Sequence, residues 1–439
     1  MTTSEGHAGR SPSRGKRGNG SMKPRRPPLR PRGSVLAALD IGTTKISCLI
    51  ARLEADEPRI AGIGHQVSRG LKSGTIVDLE AAGAALRAAV HAAEEMAGEE
   101  IKQVVTNLSG GFSASRIVKA EIGIAGREVG DADLRRVLAQ GYMLREGGDR
   151  QVVHSVPVGF SIDDNRGIRD PRGMFGERLG VDMHLVGASA GAVRNHTSAL
   201  GRGHLELEAL VVSPYAAGLG CLVEDEIALG VGVVDMGGGT TTIGVFFDGN
   251  LIFADSVPVG GGHVTNDIAR GLSTPLADAE RLKTLYGSAI LSSADERENL
   301  TVPQVGEDEA QAIQVPKSLL VGIIAPRLEE TFELVRSRLE ASGVDKLAGR
   351  RLVLTGGACQ LQGVRELASL ILDKQVRIGR PRPLAGLAEA AAGPAFSTSV
   401  GLLHFALSER AEVAPLRRRP AAAPSGLIGR VGHWLRENF

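Results

Sequence analysis

Two short stretches of this sequence place glycine and threonine just after an aspartate that ends an apolar run. They are Asp40-Ile-Gly-Thr-Thr-Lys and Asp235-Met-Gly-Gly-Gly-Thr-Thr, 195 residues apart. Such residues suit polyphosphate. Glycine lets the backbone come close to phosphate oxygens, and amide N–H groups and threonine hydroxyls donate to them. The aspartate can hold hydrated Mg2+, a hard cation that keeps waters and shares phosphate oxygens. Two such turns face to face would clamp a triphosphate from both sides. A third turn, Thr355-Gly356-Gly357-Ala358, lets the chain pass close to a nucleoside. Glu280 and Lys283 stand three apart on an expected helix. They either both point at a ribose or base, or both lie on a solvated face. No GxxxxGKS or GxxxxGKT loop occurs, and no GxGxxG opens an early βαβ unit, so P-loop and Rossmann phosphate binding are not indicated.

The elements that must carry these turns are visible in the pattern. VLAALDIGTTKISCLIARLE reads as two strands around a tight turn, and RIAGIGHQVSRG and GTIVDL as further strands. The Ala-rich run after Leu79 reads as a helix ending at Gly98, and IKQVVTNLSGG as a short buried strand. The same grammar returns around Asp235, which predicts a duplicated α/β domain rather than a short-period solenoid. Residues 113–197 do not fit the repeat and predict an inserted α+β unit. A helix-rich second insert is expected over 263–335, with a polar hairpin or loop at 292–311. RRLVLTGGACQLQGVRELASLIL predicts strand, glycine turn and helix. A Pro/Ala/Arg linker follows at 412–425.

With 42% apolar and 23% charged residues, the composition is that of a folded, non-fibrous chain. The net charge of +1 hides an asymmetry: residues 1–33 carry nine Lys/Arg and one acid, so the remainder nets −7. A strongly basic folded face for nucleic acid is therefore not indicated. The basic start predicts a disordered tail and has no apolar core of a secretory signal. Cys48, Cys221 and Cys359 match no metal or redox spacing, which suits buried thiols in a reducing compartment. No stretch approaches the roughly 20 apolar residues of a transmembrane helix.

LDIGTTK, VVDMGGGTT and LTGGA resemble the two phosphate motifs and the adenosine motif of the actin-like ATPase superfamily, which includes actin, MreB, DnaK-type chaperones and sugar kinases. A finer resemblance is to the FtsA family of bacterial cell-division actin homologues. It rests on residues 68–81, 153–186, 265–283 and 397–406 and on the closing HWLRENF. The resemblance implies a duplicated actin/ribonuclease-H-like ATPase fold of four subdomains. These are 1A (34–112 and 391–411), the inserted 1C (113–197), 2A (198–262 and 336–390, its first part preceded by a connecting helix) and 2B (263–335). It implies ATP and Mg2+ in the cleft. Asp40, Gly42, Thr43, Thr44 and Lys45, with Asp235, Gly237, Gly238, Gly239, Thr240, Thr241 and Gly262, would face phosphate, and the two aspartates the metal. Glu280, Lys283, Gly356, Gly357 and Ala358 would line the nucleoside. It also implies head-to-tail filaments with 1C in the contact, other divisome partners, and a place on the cytoplasmic face of the inner membrane at the division site. The FtsZ C-terminal peptide would bind at 2B, against Lys317 and Arg327, which otherwise are solvated charges on a helix.

One departure concerns turnover. MreB-like relatives carry an acidic or amide residue just before a Pro-x-Ala-Ala connection, where it orients the attacking water. Here that stretch is Ser213-Pro214-Tyr215-Ala216-Ala217. A serine hydroxyl without a partner is a poor general base, so no catalytic residue is assigned and slow hydrolysis at most is expected. The alternative, an actin-fold sugar or metabolite kinase, requires a carboxylate base at a sugar pocket, and none is identifiable. A DnaK-type chaperone requires a further β domain, yet only about 30 residues follow Leu407.

The last fourteen residues hold the one tryptophan. On a helical projection Leu427, Ile428, Val431, Trp434 and Leu435 share one face, and Arg430 and Arg436 fall on the other. Such a helix spans roughly 21 Å, too short to cross a bilayer, and suits the surface of anionic lipid. A helix docked on the protein's own core is the other reading. Half-burying the five apolar side chains is worth about 4–7 kcal/mol before ordering costs, so one tail holds weakly and a filament of tails holds by avidity.

Overall fold

The computed structural model describes residues 33–54, 57–112, 115–144, 149–307 and 311–407. Its first apolar run forms β1 (Val35–Ile41), buried from Leu36 onward, which is what a central strand covered on both faces requires. β1 continues as an antiparallel meander through β2 (Lys45–Glu54) and β3 (Glu57–Val67). The two-residue strands β4 (Leu71–Lys72) and β5 (Thr75–Ile76) lead into α1 (Leu79–Ala97). Asp78 caps that helix by accepting from the N–H groups of Glu80 and Ala81, and Gly98 ends it at φ 69°. Its alanine face lies very close on β3. A Cβ at Gly62 would stand 2.1 Å from the Ala93 carbonyl oxygen, and one at Gly64 2.0 Å from that of Ala89. Small residues on both surfaces make this approach possible.

β6 (Gln103–Leu108) pairs parallel to β1. The chain then leaves the sheet for an insert of β7 (Arg116–Gly123), α2 (Asp131–Tyr142), β8 (Arg150–Ile162), β9 (Asn165–Ile168) and β10 (Arg178–Ser189). Its strands lie in the order β7-β10-β8-β9. One face of this sheet buries Val181, Met183 and Leu185 with Val137 of α2. α3 (Ala190–Arg202) packs back on the first half through Ala199 and Leu200, and β11 (Glu206–Val212) pairs parallel to β6. The first sheet therefore runs β11-β6-β1-β2-β3. This corrects the expected boundary at 197/198. β11 belongs to the first half by its hydrogen bonds, and the crossing comes after Val212.

α4 (Ser213–Cys221) makes that crossing, and α5 (Glu224–Leu229) follows it. The second sheet repeats the first. β12 (Val231–Met236), β13 (Thr241–Phe247) and β14 (Asn250–Val257) form the meander. α6 (Gly261–Gly271), α7 (Leu276–Tyr286), the hairpin of β15 (Asn299–Val302) and β16 (Ile313–Pro316), and α8 (Lys317–Ser342) form the second insert. The run SLLVGIIAPRLEETFELVRSRLEAS reads as one helix to its last residue, Ser342, as observed; the expected insert limit of 335 falls inside it. β17 (Arg351–Thr355), α9 (Val364–Leu372) and β18 (Gln375–Ile378) complete the order β14-β13-β12-β17-β18. α10 (Ser397–Leu407) returns to the first sheet and crosses α4.

The largest core spans both halves. Leu36, Leu49 and Leu210 of the first sheet join Tyr215 of α4, Val233 and Phe246 of the second and Leu403 of α10. Each fully buried side chain of this size contributes ~1.5–3 kcal/mol. The halves are thus tied at the helix crossing. Among the described residues no helix is long and apolar enough to cross a membrane.

Candidate functional site

The two repeated turns close in the same way. Gly42 N–H donates to Lys45 O at 3.0 Å, and Gly237 N–H to Thr240 O at 2.9 Å. The register then equates Thr43 with Gly238, Thr44 with Gly239, and Ile46 with Thr241. The turns face each other in contact. A Cβ at Gly238 would lie 2.3 Å from Thr44 Cγ2, and one at Gly239 2.4 Å from Thr43 Oγ1. Thr43 Oγ1 also accepts from Gly74 N–H at 3.0 Å. α6 is stacked on the second turn: Gly261 and Gly262 N–H donate to the carbonyls of Gly237 and Gly238 at 2.9 and 2.7 Å. Its N-terminal turn, with its positive end, lines the same cavity.

That cavity measures about 470 Å³. Every glycine-turn residue assigned to phosphate, metal or nucleoside lines it except Thr241. Thr241 is fully buried and donates to Val259 O at 2.8 Å, because strand alternation turns it away and brings Thr242 to the cavity instead. Glu280 and Lys283 line the cavity too. Lys283 Nζ donates to Gly261 O at 3.2 Å, Thr265 Oγ1 at 2.8 Å and Glu280 Oε2 at 2.6 Å, so the pair sits at the start of α6, with Lys283 largely buried and Glu280 exposed at the rim.

Three charged groups meet at its floor. Burial raises Asp40 above the ordinary carboxylate range, against Lys45, Ser399 and Asn107, which lower it. Burial, then the Asp40 charge, pushes Asp235 up to about 7, with Thr398 and Lys45 opposing. Burial lowers Lys45, while the two aspartates raise it. Its Nζ donates to Ala395 O at 2.8 Å and sits 3.3 Å from the Phe396 ring centre. Buried Asp40 and partly buried Asp235 share one lysine, and each raises the other's affinity for a further cation or proton. This oxygen-donor set fits a divalent cation such as Mg2+.

Sequence reasoning missed Asn107, Ser109 and Thr398, which also line the cavity. Asn107 Nδ2 donates to Asp40 Oδ1 at 2.8 Å. Ser213 lies behind them, buried, 2.7 Å from Ser109 Oγ and 3.0 Å from Asn107 Nδ2. It does not line the cavity. Lys317 pairs with Asp295 and Glu298 at 3.2 and 3.0 Å, and Arg327 with Asp267 and Glu330, so both cations already have partners within the second insert. Leu427, Ile428, Arg430, Val431, Trp434, Leu435 and Arg436 lie outside the described residues, as do the N-terminal tail and the linker.

Solved structures with this architecture define its class. The chain superposes with TM-score 0.59 on a chain of a PilM–PilN type IV pilus biogenesis complex, covering 85% of this chain and 98% of that one at 17% identity. MreB5 of Spiroplasma citri bound to ADP gives TM-score 0.50 and 14% identity over 85% and 96%. At these identities the likeness shows the fold alone, and that fold is the actin-like ATPase fold. Sequence relatives narrow the class. The family model for cell division protein FtsA matches residues 232–401, and that for the SHS2 domain inserted in FtsA matches 110–187. Cell division protein FtsA of Agrobacterium fabrum is 47% identical over 432 residues, covering 95% of this chain and 98% of that protein. That of Escherichia coli K12 is 34% identical over 417 residues, 92% and 98%. The chain belongs to the FtsA family of cell division proteins.

Proposed function

We propose that this chain is an ATP-binding, actin-like division protein that polymerises on the cytoplasmic face of the inner membrane and ties the FtsZ ring to it, recruiting later division proteins. The observation that carries the reading is the contact of two equivalent glycine–threonine turns, one from each half, over a shared pair of aspartates. Backbone N–H groups of the turns and the hydroxyls of Thr43, Thr44 and Thr240 bind the phosphates. Glu280, Lys283 and the turn Gly356–Ala358 take the nucleoside. Asp40 and Asp235 hold Mg2+, which supplies charge neutralisation on the phosphate oxygens. Hydrolysis is slow because the Ser213 hydroxyl is tied to Ser109 and Asn107 and faces no open cavity. ATP then sets conformation and polymer state.

The insert of β7–β10 supplies filament contact, the helix carrying Lys317 and Arg327 takes the acidic FtsZ peptide by exchanging its internal carboxylate partners, and the terminal amphipathic helix rests on anionic lipid. Calorimetric titration of ATP with Mg2+ tests the core of the proposal. Binding is expected for the unsubstituted chain and its loss for Asp235→Ala; an unsubstituted chain that ignores MgATP refutes it. Hydrolysis at several turnovers per second contradicts the slow-turnover element. Vesicle co-sedimentation tests the anchor: Trp434→Glu releases the chain while ATP binding persists, and unchanged co-sedimentation overturns that role.

A further inference from the structure

Ser397, Thr398 and Ser399 stand in succession in the first turn of α10, all buried. Thr355 Oγ1 lies 2.7 Å from Ser397 Oγ. Thr398 Oγ1 donates to Asp235 Oδ2 at 3.0 Å. Ser399 Oγ donates to Asp40 Oδ2 at 3.0 Å and lies 2.8 Å from Ser47 Oγ. Adjacent residues of one helix therefore hold the aspartates of β12 and β1, one from each half. Asn107 occupies the other oxygen of Asp40. Asp235 Oδ1 has no hydrogen bond among the described residues, and Gly356 leaves room beside it, since a Cβ there would stand 2.4 Å away.

The helix that carries these hydroxyls cannot slide. A Cβ at Gly401 would lie 1.7 Å from the Ala216 carbonyl oxygen of α4, and one at Gly220 1.9 Å from that of Ser397. The crossing of α4 and α10 is the covalent passage between the halves, and the hydroxyl pair sits beside it. Any rotation there that opens the cleft moves β1 and β12 apart. One rigid helical turn cannot follow both, so opening breaks at least one hydroxyl–carboxylate bond. Hydrogen bonds to charged acceptors are the stronger kind.

We propose that Thr398 and Ser399 are positioning residues that form a latch between the halves, holding the cleft closed and fixing the spacing of the two carboxylates that take the cation. The consequence for ATP rests on the function proposed above; the latch itself does not. Its test therefore reads both. Spin labels at Lys72→Cys on β4 of the first half and Leu285→Cys on α7 of the second, both exposed, report the separation of the halves by pulsed electron resonance. The three native cysteines are buried and leave those sites as the reactive ones.

Without nucleotide, Thr398→Val/Ser399→Ala broadens the distance distribution and shifts it outward, and Thr398→Ser/Ser399→Thr restores it. With ATP present, Thr398→Val raises the Mg2+ concentration for half-maximal ATP binding about tenfold, the loss of one charged hydrogen bond. A distribution indistinguishable from that of the labelled parent overturns the latch. If the double variant does not unfold cooperatively, the two single variants on the same labels decide. If the parent fails to bind MgATP, the functional reading fails and the nucleotide-free distances still judge the latch.

Discussion

Gly239 shows what a single residue does in this cleft. Its Cα lies against Thr43, and an added methyl would meet Thr43 Oγ1 at 2.4 Å while that hydroxyl is held by Gly74 N–H. Gly239→Ala must push the two turns apart or turn Thr43 out of place. Overpacking of this kind costs ~1–3 kcal/mol. The strain falls on the turns and not on a core, so the unfolding midpoint should move by only a few degrees while MgATP affinity falls about tenfold or more. Equal affinity by calorimetry would show that the turns need not touch. The glycine turns were legible in the sequence because their chemistry is local: a strand-end aspartate followed by glycines allows few other uses. Asn107, Thr398 and Ser399 were not, because ordinary polar residues gain meaning only when distant strands bring them to an aspartate. Thr241 was misread for a related reason. Matching the threonines of the two motifs ignores the turn length, and the hydrogen-bond register equates Thr241 with Ile46.

At the scale of elements, the helix crossing is the least tolerant part of the fold. The obstacle at Gly401 is a backbone carbonyl, which no rotamer change moves. Gly401→Ala should lower stability by about 3 kcal/mol or more, read as a lower denaturant midpoint. Gly322 in α8 is the contrast: it is exposed, and a Cβ there meets nothing within 4 Å. Gly322→Ala should raise stability by about 0.5–1 kcal/mol through helix propensity alone. A midpoint for Gly401→Ala equal to that of the parent would remove the crossing from its structural role. Which elements the sequence reveals follows the same physics. α1 announces itself by Asp78, Gly98 and an apolar stripe. α4 and the first two turns of α10 are buried on all sides, so no 3.6-residue contrast marks them. The three apolar residues of α5, Ile227–Leu229, run almost straight into β12, so hydrophobicity alone does not separate them from that strand. β11 went to the wrong half because a continuous apolar strand looks the same on either sheet, and only its pairing with β6 decides.

Two buried histidines and a half-buried one, in separate places, make the stability of the molecule depend on pH. Burial holds His184 of β10 down at about 3, with neighbouring His154 adding to the effect. Burial holds His196 of α3 at about 4, and burial with Arg382 holds His404 of α10 at about 4. All three are neutral in the folded chain. An unfolded histidine takes up its proton near pH 6.5. Between about pH 6.5 and pH 4 these histidines bind more protons in the unfolded chain, so their contribution falls as pH falls, whereas Asp235, raised to about 7, binds its proton in the folded chain over the same range and opposes them. Their contribution is fully present above pH 6.5 and disappears as pH drops towards the folded values. His184 is the sharpest case, for neither ring nitrogen has a hydrogen-bond partner among the described residues. It lies where the insert meets the body, beside His154, whose ring stands edge-on to Tyr215 at 5.4 Å between centres. Protonating it puts an unpaired charge into that seam. Measured against His184→Leu, the parent should lose stability from pH 7 to pH 4.5, with His184 accounting for about 2 kcal/mol at the lower end. His184→Leu removes the titrating group and strands no polar partner, so it should keep the midpoint at pH 7 and flatten the acid slope. An identical slope in the substituted chain would place the acid sensitivity elsewhere.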